Sequence, residues 1–397
     1  MLLLFSVQNF ACFAEEALFS MVASSDASHP QHVVESEAGR KPRILRLAAL
    51  YGANGHGKSK IVEALRFVRD LVVDGTKAGD PIECPTFRLD SDLSEAASRF
   101  EIVIDYDGVE YSYGFVVDEK RVLEEWLFAR LTSRESRFFE RITDDDGKVT
   151  VEFGPALGGG SKKERQLLEF VAEGTRPDQL FLTEALDRNV GQVKPMLEWF
   201  RRVLVIVSAD DAPQAVAIRA GRDQSLTDFL ADFLSRAGTG VDGVKVEETP
   251  VDGDGFFGGA PTSFLKSLSE TVDKGHVFNF VDQTKNEVIT VYKNSDGERV
   301  VGCLKTIHRS KNGGSVEFQF GDESSGTQRL MEIMPILADA ESRERVYVVD
   351  ELDRKLHPAL SRLFVETFIQ RCRRQPHTAY LHHPRHPPDG PGPVAPP

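Results

Sequence analysis

The chain has 397 residues, enough for one large α/β domain with an insertion or for two domains with a sizeable core. It carries 62 acidic and 48 basic side chains, a formal net charge of −14, which argues against a non-specific nucleic-acid binder. The four cysteines, at 12, 84, 303 and 372, stand far apart and form no C-x-x-C pair, and no apolar run reaches the length of a membrane span. These features predict free thiols in a reducing, cytoplasmic setting without a membrane partner.

Residues 2–8 predict a strand, not a signal peptide, because the apolar run stops at once and no basic stretch leads it. Asn9-Phe10 follow, then a strand-like piece over Glu16–Val22 and a polar loop over residues 23–43. Ile44–Tyr51 is short and mostly apolar, as a buried strand would be. Next comes Gly52-Ala53-Asn54-Gly55-His56-Gly57-Lys58-Ser59, a full match to the phosphate-binding pattern G-x-x-x-x-G-K-[ST]. Its glycines let backbone N–H groups converge on phosphate, Lys58 adds a point charge toward the β- and γ-phosphates, and Ser59 offers a hydroxyl to Mg²⁺. Ile61, Leu65, Val68 and Val72 recur at helical spacing behind it, so strand, loop and helix stand in the order the motif requires. Lys60 completes the predicted nucleotide-binding stretch. His56 is bulkier than the usual residue there and is expected to be exposed.

From Phe100 to Leu131 the apolar period becomes two, with a turn at Asp107-Gly108, and Phe138–Phe153 repeats this around Asp145-Asp146-Gly147; both predict an antiparallel meander. Residues 162–240 are helical in pattern with one apolar strand at Val203–Val207, and residues 249–262 suggest a flexible insertion. Strand patterns return at Val288–Tyr292 and Val316–Phe320. Phe and Tyr recur in these strands and are expected in the core.

Val346-Tyr347-Val348-Val349-Asp350-Glu351 predicts a buried strand whose tip delivers two carboxylates. Asp350 would orient Mg²⁺ through water, and Glu351, with Lys58 the expected catalytic pair, would polarise the attacking water. Just before it, Glu323-Ser324-Ser325-Gly326-Thr327-Gln328-Arg329-Leu330 opens a helix whose apolar stripe is Leu330, Ile333, Met334 and Leu337. Ser324 or Ser325 is a plain helix cap on one reading and an anion-binding helix opening on another.

The order phosphate loop, long insertion, Ser-x-Gly helix opening, acidic strand is that of an ABC-type ATPase head. Together with Asn9-Phe10, the segment Glu323–Leu330 and D-E-L-D-x-x-L-H-P at 350–358, it resembles the AAA-type, ABC-like ATPases of the abortive-infection (AbiL-like) group, relatives of OLD and RecF/SMC heads. Phe87–Asp90, Glu124–Leu127 and Gly238–Glu247 extend the resemblance, which covers residues 1 to 375. It implies an α/β fold, a P-loop NTPase whose ABC-ATPase-head-like mixed sheet carries both motifs, beside an antiparallel β region and a helical insertion. It implies ATP and Mg²⁺ as cofactors. Ser324 and Gly326 would cap the γ-phosphate held by a second copy of the chain, so that ATP binding dimerises and hydrolysis releases. It also implies a separate effector protein, such as a nuclease, in anti-phage defence. A RecF-like DNA-repair head and an ATP-binding scaffold without turnover are the alternatives; nucleic acid is not indicated by the net charge.

The expected segments are 1–160 with the phosphate loop and meander, 161–285 as the helical insertion, 286–375 with the signature and acidic strand, and 376–397 as a disordered Pro-rich tail. Ala11 stands where the family has a basic residue, and Glu184 and Gln192 are the candidates for the glutamine loop. Where the family has a buried strand ending in Thr-Thr-His-Asp, this chain has seven prolines from Pro384 on. A one-nucleotide shift over residues 379–386 permits the family stretch, which leads to the expectation of a frameshift that removed the strand and its phosphate-contacting histidine.

Overall fold

The computed structural model describes residues 1–34, 42–132, 134–208, 216, 220–221, 223–251, 262–273, 277–282, 287–294, 296–341, 344–372 and 378–382, with side chains omitted at 262, 279–282, 287–288 and 378–382. The chain forms two compact units, Met1–Ala209 with Arg343–Leu352 and Cys372–Pro397, and Asp210–Ser342 with Asp353–Arg371.

In the first unit β1 (Leu2–Gln8) and β2 (Ala17–Ser20) join the meander instead of the phosphate-loop sheet. After β3 (Val33–Val34), β4 (Ile44–Leu45) and β5 (Leu47–Leu50), the meander strands are β6 (Ser98–Tyr106), β7 (Val109–Val117), β8 (Val122–Arg130), β9 (Ser136–Thr143) and β10 (Val149–Phe153). The resulting seven-stranded antiparallel sheet runs β10-β9-β8-β7-β6-β1-β2. Alternate side chains face inward as its period of two demands: Phe100, Ile102 and Ile104 of β6 are all buried, with Arg99, Glu101 and Val103 between them less so.

The second sheet of this unit carries both nucleotide motifs. β11 (Leu204–Val207), β17 (Val346–Val349), β18 (Thr378–His382) and β5 lie side by side in that order, all parallel. β17 is buried along its whole length, in keeping with its run of apolar residues. The helix Lys58–Val73 buries Ile61, Val62, Leu65, Val68, Leu71 and Val72 in the core that also holds Phe5, Phe100, Phe115 and Val348.

β18 corrects two expectations. Residues 378–382 are a central strand between β17 and β5, not part of a disordered tail, and the sheet position expected to be lost is filled. Backbone pairing needs only free N–H and C=O groups, which Thr378–His382 supply because no proline falls between Pro376 and Pro384. Residues 376–377 and 383–397 lie outside the described residues.

The compact units also divide the chain elsewhere than at 160 and 285. Residues 161–208 belong to the first unit because Leu168, Val171, Phe181, Trp199 and Phe200 are buried in its core. The second unit is not simply helical. β12 (Val241–Pro250), β13 (Phe278–Asp282), β14 (Glu287–Lys293), β15 (Arg299–Arg309) and β16 (Ser315–Gln319) form an antiparallel sheet in the order β12-β15-β14-β13, with β16 also on β15. Helices Gln224–Arg236, Thr262–Asp273, Ser325–Asp339 and Pro358–Arg371 belong to the same unit. Of the flexible insertion expected at 249–262, Thr249 and Pro250 close β12 and residues 252–261 lie outside the described ones.

Candidate nucleotide site

The parallel register brings the two motifs to one edge. Leu50 pairs with His382, and Val349 with Leu381. The phosphate loop therefore leaves β5 at the carboxyl edge where Asp350 leaves β17, the edge at which open α/β sheets bind ligands. Gly52 to His56 are exposed. Gly55 and Gly57 have φ of +82° and +83°, a left-handed backbone that turns successive N–H groups inward. Gly57 caps the helix Lys58–Val73, whose N-terminus adds its partial positive charge.

Lys58 Nζ donates to the Gly52 carbonyl at 2.7 Å and the Ala53 carbonyl at 2.9 Å, so the ammonium sits over the loop it would share with phosphate. Ser59 Oγ donates to Asp350 Oδ1 at 3.3 Å. Two oxygen ligands next to each other on octahedral Mg²⁺ lie about 3 Å apart, so this pair fits the ion with little movement. Among the described residues no cluster of three His, Cys, Asp or Glu side chains could hold a metal by itself. Glu351 follows with φ of +49°, a backbone cost of about 1 kcal/mol or more for a residue with a side chain. Such strain is expected where a carboxylate must be aimed. His56 is exposed, its Nδ1 3.3 Å from the Asn54 carbonyl. Lys60 Nζ is held by both Glu63 oxygens at 2.7 Å, so its side chain is engaged along the helix.

The turn after β1 braces this loop. A Cβ on Gly57 would lie 2.7 Å from Cys12 Sγ and 3.1 Å from the Phe13 ring. Asn9 and Ala11 take positive φ, +52° and +51°, and Asn9 is buried. Its Nδ2 donates to the carbonyls of Leu93 and Ala96 at 2.8 and 2.9 Å, and its Oδ1 accepts from Phe87 N–H at 3.1 Å. Ser98 Oγ donates to the Asn9 carbonyl at 2.6 Å and Ala11 N–H to that of Pro85 at 2.7 Å. Ala11 is the residue where a basic side chain was expected, and the chain uses it for backbone geometry.

Of the glutamine-loop candidates, Glu184 lies away from the phosphate loop. Glu184 is buried against Gln179 and Arg188, and its neighbour Thr183 donates to the carbonyl of Val72, near the far end of the phosphate-loop helix. Fourteen residues of α-helix separate Val72 from Lys58, about 21 Å. Gln192 is exposed in the turn Gly191–Val193.

The Ser-x-Gly segment belongs to the second unit and the phosphate loop to the first. Ser324 caps the helix Ser325–Asp339, its Oγ accepting from Thr327 N–H at 3.1 Å. Both Ser324 and Ser325 are exposed. The N–H groups of the first turn have no intrahelical carbonyl to reach, so this end offers donors and a positive dipole to an anion. Gly326 is closely packed: a Cβ would stand 3.0 Å from the Lys355 carbonyl, so a side chain there would need the neighbouring backbone to give by a few tenths of an ångström. Leu330, Ile333, Met334 and Leu337 form the buried stripe.

The family model described as "AAA domain, putative AbiEii toxin, Type IV TA system" matches residues 47–379. No curated protein matches the chain. Solved structures similar to it include an SMC head domain from Thermotoga maritima, 13% identical with a TM-score of 0.36 over 96% of this chain and 89% of that one. An SMC head bound to the C-terminal winged-helix domain of ScpA is 10% identical, with a TM-score of 0.45 over 97% and 90% of the two chains. An Smc head with an extended coiled coil, bound to the C-terminal domain of ScpA derived from Pyrococcus furiosus, is also 10% identical, at 0.38 over 97% and 89%. With a match that runs from β5 through the acidic strand into β18, the chain belongs to this AAA-domain family and has a P-loop NTPase fold.

Proposed function

We propose that the chain binds MgATP at residues 52–59 and hydrolyses it, that two copies close around the nucleotide, and that this cycle drives a separate effector in anti-phage defence. The observation that carries the reading is the pairing of Ser59 with Asp350 at 3.3 Å, with Glu351 next in sequence and Lys58 over the loop. Lys58 would exchange two loop carbonyls for phosphate oxygens, a charge-assisted contact stronger than the ones it leaves. Ser59 and Asp350 would hold Mg²⁺, which neutralises phosphate charge in the transition state. Glu351 would orient the attacking water. The exposed cap Ser324 and the close-packed Gly326 support the two-copy arrangement, because a donor-rich helix end open to solvent can reach a partner's γ-phosphate. The family description, with its toxin of a toxin–antitoxin system, supports a role in defence and a protein partner.

Phosphate release measured for the native chain, Lys58→Ala and Glu351→Gln separates an enzyme from a scaffold. The native chain is expected to turn over and both variants to lose the activity, with Glu351→Gln still binding ATP. A native rate no higher than that of both variants rejects hydrolysis.

A further inference from the structure

The exposed Ser324 turn is held from behind by a polar contact that the nucleotide motifs do not include. The Glu323 carboxylate, nearly buried at 7% exposure, accepts from His308 Nε2 at 2.6 Å through its Oε1. The same oxygen accepts from the hydroxyl of Thr306. Both donors lie on β15, and Thr306 is fully buried there. The His308 ring is itself fixed, with the Phe318 ring edge-on at 4.7 Å and 69°. On the backbone side Gln328 Nε2 lies within 3.0–3.2 Å of the carbonyls of Phe320, Gly321 and Glu323, which gathers the approach to the helix. The peptide entering Ser324 is thus tied to the sheet through its side chain and to the helix through its carbonyl.

A buried carboxylate costs free energy unless hydrogen bonds satisfy it, and apolar packing could have fixed the turn at less cost. What the carboxylate adds is direction: two donors from one strand allow a single position of Glu323, and with it of Ser324 one residue on. A helix N-terminus recognises an anion only when its N–H groups and cap hydroxyl are held in place before binding.

We infer that Glu323, His308 and Thr306 are positioning residues that hold Ser324 and the first turn of Ser325–Asp339 ready for the γ-phosphate on a second copy of the chain. The inference rests on the two-copy reading above. It makes a selective prediction, because these residues belong to the second unit and the phosphate loop to the first. Removing the donors should spare a chain's own nucleotide binding and impair its closure on a partner.

The test uses the full chain carrying Glu351→Gln, so that bound ATP persists. Light scattering gives the ATP-dependent dimer, and a fluorescent ATP analogue gives binding to the single chain. Adding His308→Ala and Thr306→Val is expected to leave analogue affinity unchanged and to weaken ATP-dependent dimerisation roughly tenfold or more. Glu323→Gln, which keeps an oxygen for both donors, is expected to dimerise more readily than Glu323→Ala. Unchanged dimerisation in the donor-less chain overturns the assignment. So does loss of analogue binding together with dimerisation, which would mark the contact as a general fold support. A Glu351→Gln parent that stays monomeric with ATP overturns the two-copy reading, and this assignment with it.

Discussion

Gly55 and Gly57 offer a matched pair for testing how the phosphate loop is built. Their φ angles are +82° and +83°, so an alanine at either position carries the same backbone penalty, about 1–2 kcal/mol. Their surroundings differ. A Cβ on Gly55 meets nothing within 4 Å, whereas one on Gly57 comes to 2.7 Å from Cys12 Sγ and 3.1 Å from the Phe13 ring. Asn9, with its buried bonds to Leu93, Ala96 and Phe87, keeps that turn from backing away. Overpacking of this kind adds about 1–3 kcal/mol. Titration with a fluorescent ATP analogue should then show Gly55→Ala weakened by roughly 5- to 30-fold, and Gly57→Ala weakened by a further 5- to 150-fold. Cys12→Ala in the Gly57→Ala chain should recover part of the second loss and none of the first. Equal affinities for the two alanine variants, or full recovery by Cys12→Ala, would refute the bracing of the loop by the turn after β1.

Asp350→Asn should leave analogue binding without Mg²⁺ close to native while abolishing the gain that Mg²⁺ brings, read by titrating with and without chelator. Arg141→Met should destabilise the first unit by about 3–5 kcal/mol in chemical denaturation, because it strands Glu125, whose side chain and that of Arg141 are both fully buried. Glu125 also accepts from the N–H groups of Phe181 and Leu182 at 2.6 and 3.0 Å and from Tyr113 Oη at 3.0 Å, yet burial still pushes its carboxyl above the usual range. The folded chain therefore takes up this proton more readily than the unfolded chain, so Glu125 lowers stability as pH rises from about 4.3 through the raised folded value. Glu125→Gln should flatten that part of the stability profile; an unchanged slope rejects it.

The loop and the strand end that build the candidate nucleotide site were legible because their signals are local. The spacing of Gly52, Gly57, Lys58 and Ser59 and the apolar run into Asp350-Glu351 each specify a loop or strand end without distant partners, and the parallel register then joins them. The meander was legible for the same reason, through its period of two and its turns. β18 was not, since five residues beside a proline-rich stretch carry no periodic signal, and their pairing is set by the gap between β17 and β5. β12 was missed although Val244 and Val246 alternate with charged residues, because Gly243 and the paired Glu247-Glu248 break the pattern on either side, and its long pairing with β15 defines its extent. Glu184 looked suitable by residue type, but helix Phe181–Asp187 packs at the wrong end of Lys58–Val73. The positive φ of Asn9, Ala11 and Glu351 has no signature in sequence, because residues with side chains adopt it only when surroundings impose it. His308 stands fifteen residues before Glu323, on a strand of another pattern, and nothing in the spacing joins them.

Subunit mixing directly tests the proposed nucleotide site completed by two copies of the chain. Lys58→Ala disables one chain's phosphate loop and leaves its Ser324 turn intact; Ser324→Arg does the reverse. Each variant alone is expected to release no phosphate from ATP. Mixed, they form a pair in which one intact loop faces one intact turn, and phosphate release should return. A mixture as inactive as its components, with both chains folded and Ser324→Arg still binding ATP, would contradict the shared site.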